Sequence, residues 1–212
     1  MSGLLITPSI LDSFKWYKEC PASWEQKAHD DLLNALKRVY SPMTPATQRG
    51  VNFEKAICSS FGNTREEFVK QFGEVAAPFY DKCKGALQQV VYKKNITVNG
   101  EDFLLYGKAD IVHPGKIIDI KTTANWKGNY GYTSKRQHLL YIAASGIPTF
   151  EYLVGVFGDP SGVVPTEVKE VDASVPVEKA LITITEAIVE FMSFLHSAPE
   201  FEDAYRHKFN RW

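Results

Sequence analysis

Asp110, Asp119 and Lys121 lie in one stretch, GKADIVHPGKIIDIKTT, residues 107–123. Pro114-Gly115 in its middle predicts a tight turn between two strands rich in Ile and Val. With residue 113 opposite residue 116, counting back sets Asp110 opposite Asp119 on one face, and a longer loop would shift that register by a residue or two. Directly opposed side chains have Cβ atoms about 4.5–5.5 Å apart, where two carboxylates repel. Such a pair relieves the repulsion by sharing a proton or by sharing a cation. Hard divalent cations take oxygen ligands, and Mg2+ is commonly held by one or two carboxylates with water and substrate phosphate. Strand alternation brings Lys121 to the face of Asp119 and turns Ile118 and Ile120 away, leaving the Ile120 carbonyl as a further oxygen ligand. Acid, acid and lysine suit phosphodiester hydrolysis: a metal polarises the phosphoryl group and lowers the pKa of bound water, and a lysine orients that water or stabilises developing charge. For the two aspartates alone the competing reading is a solvated face of half-buried strands.

GKAD followed nine residues later by DIK resembles the core motif of the PD-(D/E)xK nuclease superfamily, with Ala109 in place of the family's proline. QHLLY, with Gln137 and Tyr141 four residues apart on one helix face, is similar to the QxxxY motif of the RecB-like and lambda-exonuclease-like branches. Glu54 in GVNFEKAI sits where that branch places an acidic or histidine metal-side residue, and the opening TPSILDSFKWYKECPASW resembles its N-terminal helix ending in Cys-Pro. The matches span residues 7–141 in the expected order.

The resemblance implies a restriction-endonuclease-like core and a metal-dependent deoxyribonuclease, an exonuclease of phage recombination or RecB-like type rather than a sequence-specific restriction enzyme. It implies Glu54, Asp110, Asp119 and the Ile120 carbonyl around Mg2+ or Mn2+, Lys121 as the catalytic lysine, and Gln137 and Tyr141 orienting substrate or supporting the site. The implied partners are DNA, as ends of linear duplex or single strands, and a homo-oligomer or a recombination partner protein, in DNA recombination, repair or phage DNA processing. The alternatives are an inactive nucleic-acid-binding module of the same fold, a structure-specific endonuclease, or an interaction protein whose carboxylates are surface residues. In one respect the chain departs from its cluster-bearing relatives: no cysteine follows Cys83, so no iron–sulfur cluster is carried over. No GxxxxGK[ST] motif is present either, so no helicase motor is expected.

The elements that must position these residues are legible from period and punctuation. Thr7-Pro8 and Thr44-Pro45 predict helix starts, with a further helix between them, and the first 85 or so residues read as helical. From ALQQVVYKKNITVNG the period changes to two, with turns at Asn99-Gly100 and Pro114-Gly115, which predicts an antiparallel meander. After the loop ANWKGNYGYT come a short helix, SKRQHLLYIAAS, a strand, TFEYLVGVFG, and a further strand, PTEVKEVDAS. Val177, Leu181, Ile184, Ile188, Phe191 and Leu195 then mark a long amphipathic helix over 176–197. The expected architecture is α/β, a small mixed sheet flanked by helices on both sides, in a single domain over 1–212: a mainly helical part to 85, a sheet and catalytic core over 86–175, the long helix to 198 and a tail over 199–212.

Trp126, Tyr130 and Tyr132 follow the motif directly, where aromatic rings either stack on unpaired bases or pack the loop down. Lys135-Arg136 and the tail's Arg206, Lys208 and Arg211 offer phosphate contacts, although the tail reads first as a poorly ordered terminus. The net charge of −1 supplies no global field to draw the chain to nucleic acid. Three widely spaced cysteines, Cys20, Cys58 and Cys83, fit reduced thiols better than a disulfide framework. The histidines show no zinc-ligand spacing with them. No signal peptide or membrane span is expected, and the cytoplasm is the expected compartment.

Overall fold

The computed structural model describes residues 3–39, 42–158, 162 and 164–209. The expected helix starts are present. Thr7 Oγ1 accepts the Ile10 N–H at 3.4 Å at the head of α1, Pro8–Glu19, and Thr44 Oγ1 accepts the Thr47 N–H at 3.1 Å at the head of α3, Pro45–Ser59. Between them runs α2, Glu25–Lys37. A capping box of Thr64 and Glu67 opens α4, Arg65–Phe72, and α5 follows at Ala77–Cys83.

The sheet is mixed and six-stranded, in the order β1-β3-β4-β5-β6 with β2 on the free side of β3. The meander is β2, Leu87–Val98, β3, Glu101–His113, and β4, Lys116–Thr123. His113 pairs with Lys116 across Pro114-Gly115, and Gly115 has φ 79, as the third residue of a type II turn requires. A parallel step then joins β4 to β5, Thr149–Val156, which pairs antiparallel with β6, Glu167–Asp172.

One edge of β3 is covered along its length by β2, so its other two partners share the second edge. There β1, Leu4–Ile6, pairs in parallel with Phe103–Leu105, while β4 pairs with Ile111–His113. Residues 106–110 therefore lie in a fork between β1 and β4. The gap is plugged by α7, Gln137–Ser145: Tyr141 Oη donates to the Lys108 carbonyl at 2.8 Å, and its ring lies flat enough on the strand that only a glycine fits at 107.

Helices cover both faces, as the pattern predicts. One core holds α1, α2, α7, α8, Val177–Ser197, and α9, Pro199–Phe209; the other packs α3, α4 and α5 behind Ile111, Ile118, Ile120 and Leu153. Ala109 belongs to the first core and Ile111, two residues on, to the second, so the strand alternation of β3 breaks at Asp110. Although α8 is long and apolar enough to cross a membrane by length and composition, its stripe of Ile184, Ile188, Phe191 and Leu195 is buried against the first core.

Three expectations need correction. The segment read as a tail forms α9, because Phe201, Tyr205 and Phe209 recur at helical spacing and are buried, with Tyr205 Oη donating to the Leu5 carbonyl at 2.9 Å. The N-terminal part is not wholly helical: Leu4–Ile6 form β1, too short for its period to register. The aromatic loop contains a one-turn helix, α6, Tyr130–Thr133. Arg211 lies outside the described residues.

Candidate active site

The fork gathers the acids. In a two-residue hairpin the flanking pair exchanges both ladder bonds, so every second pair does likewise. After His113–Lys116 and Ile111–Ile118, the next such pair would be Ala109 with Ile120. Instead the Ile120 N–H donates to Asp110 Oδ2 at 3.0 Å. The paired register ends at Ile111–Ile118; carried one residue further it sets Asp110 across from Asp119, and the charge of Asp119 acts on the Asp110 carboxyl.

Asp119 is 1% exposed. Its Oδ1 accepts from Gln137 Nε2 at 2.8 Å, and its Oδ2 is ion-paired with the Lys121 ammonium without an aligned hydrogen bond. A solvated strand face does not bury a carboxylate this way, because an unpaired buried charge is costly. Burial alone would lower the Lys121 pKa, but Asp119 and Asp110 outweigh it and hold the ammonium above the ordinary lysine range. Asp110 shifts the other way for a carboxyl: burial first and Asp119 second push it up to about 7, against the pull of Lys121 and the Ile120 N–H.

Glu54, on α3, reaches the same place from the opposite face. Gln89 Nε2 donates to Glu54 Oε1 at 3.0 Å and to Asp110 Oδ1 at 3.4 Å. Tyr141 Oη donates to the Lys108 carbonyl rather than to an acid, and burial together with Asp119 pushes its phenol up to about 12. Thus Asp110, Asp119, Lys121 and Gln137 come together, Glu54 joins through Gln89, and Tyr141 supports from beneath.

Among the described residues no three His, Cys, Asp or Glu side chains form one closed ligand cluster. The donor chemistry nonetheless fits a hard divalent cation: Glu54, Asp110 and Asp119 supply carboxylate oxygens against the one ammonium of Lys121, and Asp110 is driven toward protonation by burial and then by Asp119.

Around the acids, Trp126 and Tyr132 stack on each other at 5.5 Å and pack against the first core, so loop packing occupies both rings. Tyr130 is 78% exposed. The Lys135 ammonium sits 5.6 Å from the Tyr132 ring centroid and has no ion pair among the described residues. Burial and the nearby Lys121 lower its pKa, which Asp12 and Asp119 partly restore. Arg136 turns elsewhere, lining a groove with Phe14, Lys18 and Glu190, while its N–H donates to Asp12 Oδ1 at 2.6 Å. In the tail, Arg206 pairs with Glu202 and Glu101. His138 is buried beside Tyr152, and burial pushes its pKa down to about 4.

Supporting contacts come from two residues to which the sequence gives no role: Gln89, outside the motifs, and Asp12, inside the opening helix motif. Counting back from the Asn99-Gly100 turn places Gln89 opposite Asp110, between the pairs Gln88–Ile111 and Val90–Ala109. For Asp12 the sequence carries no signal, since its partner is 124 residues away.

No family model matches the chain, and no curated protein matches it. Among solved structures, the chain is similar to the SSO0001 crystal structure, at 14% identity and a TM-score of 0.48 over 93% of this chain and 79% of that one. It is also similar to two crystal structures of the alkaline exonuclease LHK-Exo from Laribacter hongkongensis, one of them in complex with dAMP, at 17% identity and a TM-score of 0.49 over 95% of this chain and 92% of that one.

Proposed function

We propose that the chain is a metal-dependent deoxyribonuclease that hydrolyses phosphodiester bonds, acting as an exonuclease on DNA ends. The observation that carries this reading is Asp119, buried between the Lys121 ammonium and the Gln137 amide, with Asp110 across from it at the fork. Glu54, Asp110, Asp119 and the Ile120 carbonyl would hold Mg2+ or Mn2+. When bound, the cation supplies polarisation of the phosphoryl oxygen and a lowered pKa for water.

The chain's own residues do the rest. Lys121, held charged by its two carboxylate neighbours, stabilises the negative charge that develops on the phosphoryl group. Gln137 fixes the orientation of Asp119 through the oxygen that Lys121 does not use, as supporting donors of a ligating carboxylate do. Tyr141 seats the helix that carries Gln137, and the unpaired Lys135 takes a backbone phosphate of the bound strand.

The test is incubation of the purified chain with end-labelled linear DNA and closed circular DNA, with Mg2+, with Mn2+ and with chelator. Cation-dependent degradation of the linear DNA, with the circle intact, is the expected result. Cutting of the circle would assign an endonuclease instead. No cleavage under any condition, with DNA still bound, would leave a binding module of the same fold.

A further inference from the structure

Gln89 lies inside a strand, yet its backbone has φ 53, a left-handed conformation that a non-glycine residue adopts only at a cost. The flanking pairs Gln88–Ile111 and Val90–Ala109 keep one register on both sides, so the departure is confined to this residue. It faces Asp110, at the point where β3 changes the core it serves. The distorted backbone delivers one amide to two acids from different layers, Glu54 on α3 and Asp110 on β3. In an ordinary extended conformation the alternation of β2 would run on; at φ 53 it changes face together with β3, Val90 and Ala109 lying on the first core and Ile111 on the second. Strain confined to one residue, and resolved by hydrogen bonds to a pair of acids, marks a positioning device.

Resting on the metal-site reading above, we infer that Gln89 is a positioning residue that aligns Glu54 and Asp110 for a divalent cation. It engages one oxygen of each carboxylate, Oε1 of Glu54 and Oδ1 of Asp110, and so fixes the direction in which the remaining lone pairs point. Asp110 is held at its other oxygen by the Ile120 N–H, which leaves it no freedom to rotate away. Without the amide, two acids of like charge on different elements are free to turn apart. The cation must then pay the cost of bringing them together.

The test is Mn2+ titration by calorimetry on the wild type and two variants. Gln89→Gly removes the side chain and suits φ 53, so the fold is retained; Gln89→Met keeps the length and removes the donor. The expected result is Mn2+ affinity lower by about 10- to 100-fold in both, the range for lost donors to ligating side chains, with cooperative thermal melting in chelator preserved. Wild-type affinity in both variants overturns the inference, and so does a lowered melting temperature with affinity unchanged, which makes Gln89 merely structural. A wild type that takes up no Mn2+ at all removes the metal-site reading itself and the inference with it.

Discussion

The Asp110 carboxylate accepts the backbone N–H of Ile120 at 3.0 Å, the bond that a continuing ladder would give to the Ala109 carbonyl. A side chain has replaced a main-chain acceptor at the point where β4 leaves β3. The replacement satisfies the Ile120 N–H, which could not be left unpaired in a buried sheet, and it turns Asp110 toward Gln89, whose amide also holds Glu54. The fork and the site are therefore one feature.

That geometry makes stability depend on pH. The Asp110 carboxyl is pushed up to about 7 by burial and by Asp119, whereas in the unfolded chain it titrates near 3.9. The folded protein binds this proton more tightly, so Asp110 contributes stability in full below about pH 4 and loses it as pH rises to about 7. In chelator, the melting temperature of the wild type should fall over this window relative to Asp110→Asn, which has no proton to lose. Saturating Mg2+ should erase or reverse the difference, since a cation takes the proton's place. Parallel profiles for the two proteins in chelator would contradict the placement of Asp110 beside Asp119.

The proposed function assigns the chemistry to Asp119 and its orientation to Gln137, so their variants should separate. Asp119→Asn removes the charge while keeping the shape, and cleavage should be lost with the fold intact; full Mg2+-dependent cleavage by this variant would refute the assignment. Gln137→Ala leaves a buried carboxylate oxygen without its donor, which costs about 1–3 kcal/mol of stability. In steady-state kinetics kcat should fall while DNA affinity, read by fluorescence anisotropy, changes little.

Lys135 sits beside Lys121, just before the positive N-terminal end of α7 and over the Tyr132 ring. Like charge, desolvation and the helix dipole all disfavour an ammonium there, and an anion would relieve all three. If that anion is a phosphate of duplex DNA, Lys135→Ala should reduce the slope of log affinity against log salt by about 0.9, with kcat at saturating DNA retained. An unchanged slope across a salt series would place the phosphate elsewhere.

How much of this was legible in the residues themselves follows from sequence distance. The Asp110–Asp119–Lys121 group sits on one hairpin whose turn fixes its register, so counting sufficed. Glu54 and Gln137 came from motif resemblance, because their helices approach the hairpin from outside it and no local pattern measures that approach. The α9 helix is hidden in the sequence because a terminal segment with charges at every turn reads as solvated, and only its docking of Tyr205 on β1 reveals the buried stripe. The left-handed Gln89 was invisible because glutamine carries no conformational signal of its own.

Gly107 supplies the clearest test of how α7 is seated. A Cβ at this position would lie 2.2 and 2.3 Å from two carbons of the Tyr141 ring, far inside van der Waals contact, and the ring is pinned by its bond to Lys108. Gly107→Ala should therefore destabilise by about 1–3 kcal/mol, as overpacking does, at about 2–4 °C per kcal/mol for a chain of this size. It should also lower kcat, because displacing Tyr141 shifts Gln137, one helical turn away, off Asp119. The same substitution in a Tyr141→Ala background has no ring to strike, so its cost should fall, and the double-mutant cycle reads that coupling directly. Equal costs in both backgrounds would mean that β3, rather than α7, feels the methyl group, and the fork would then owe its shape to the strands alone.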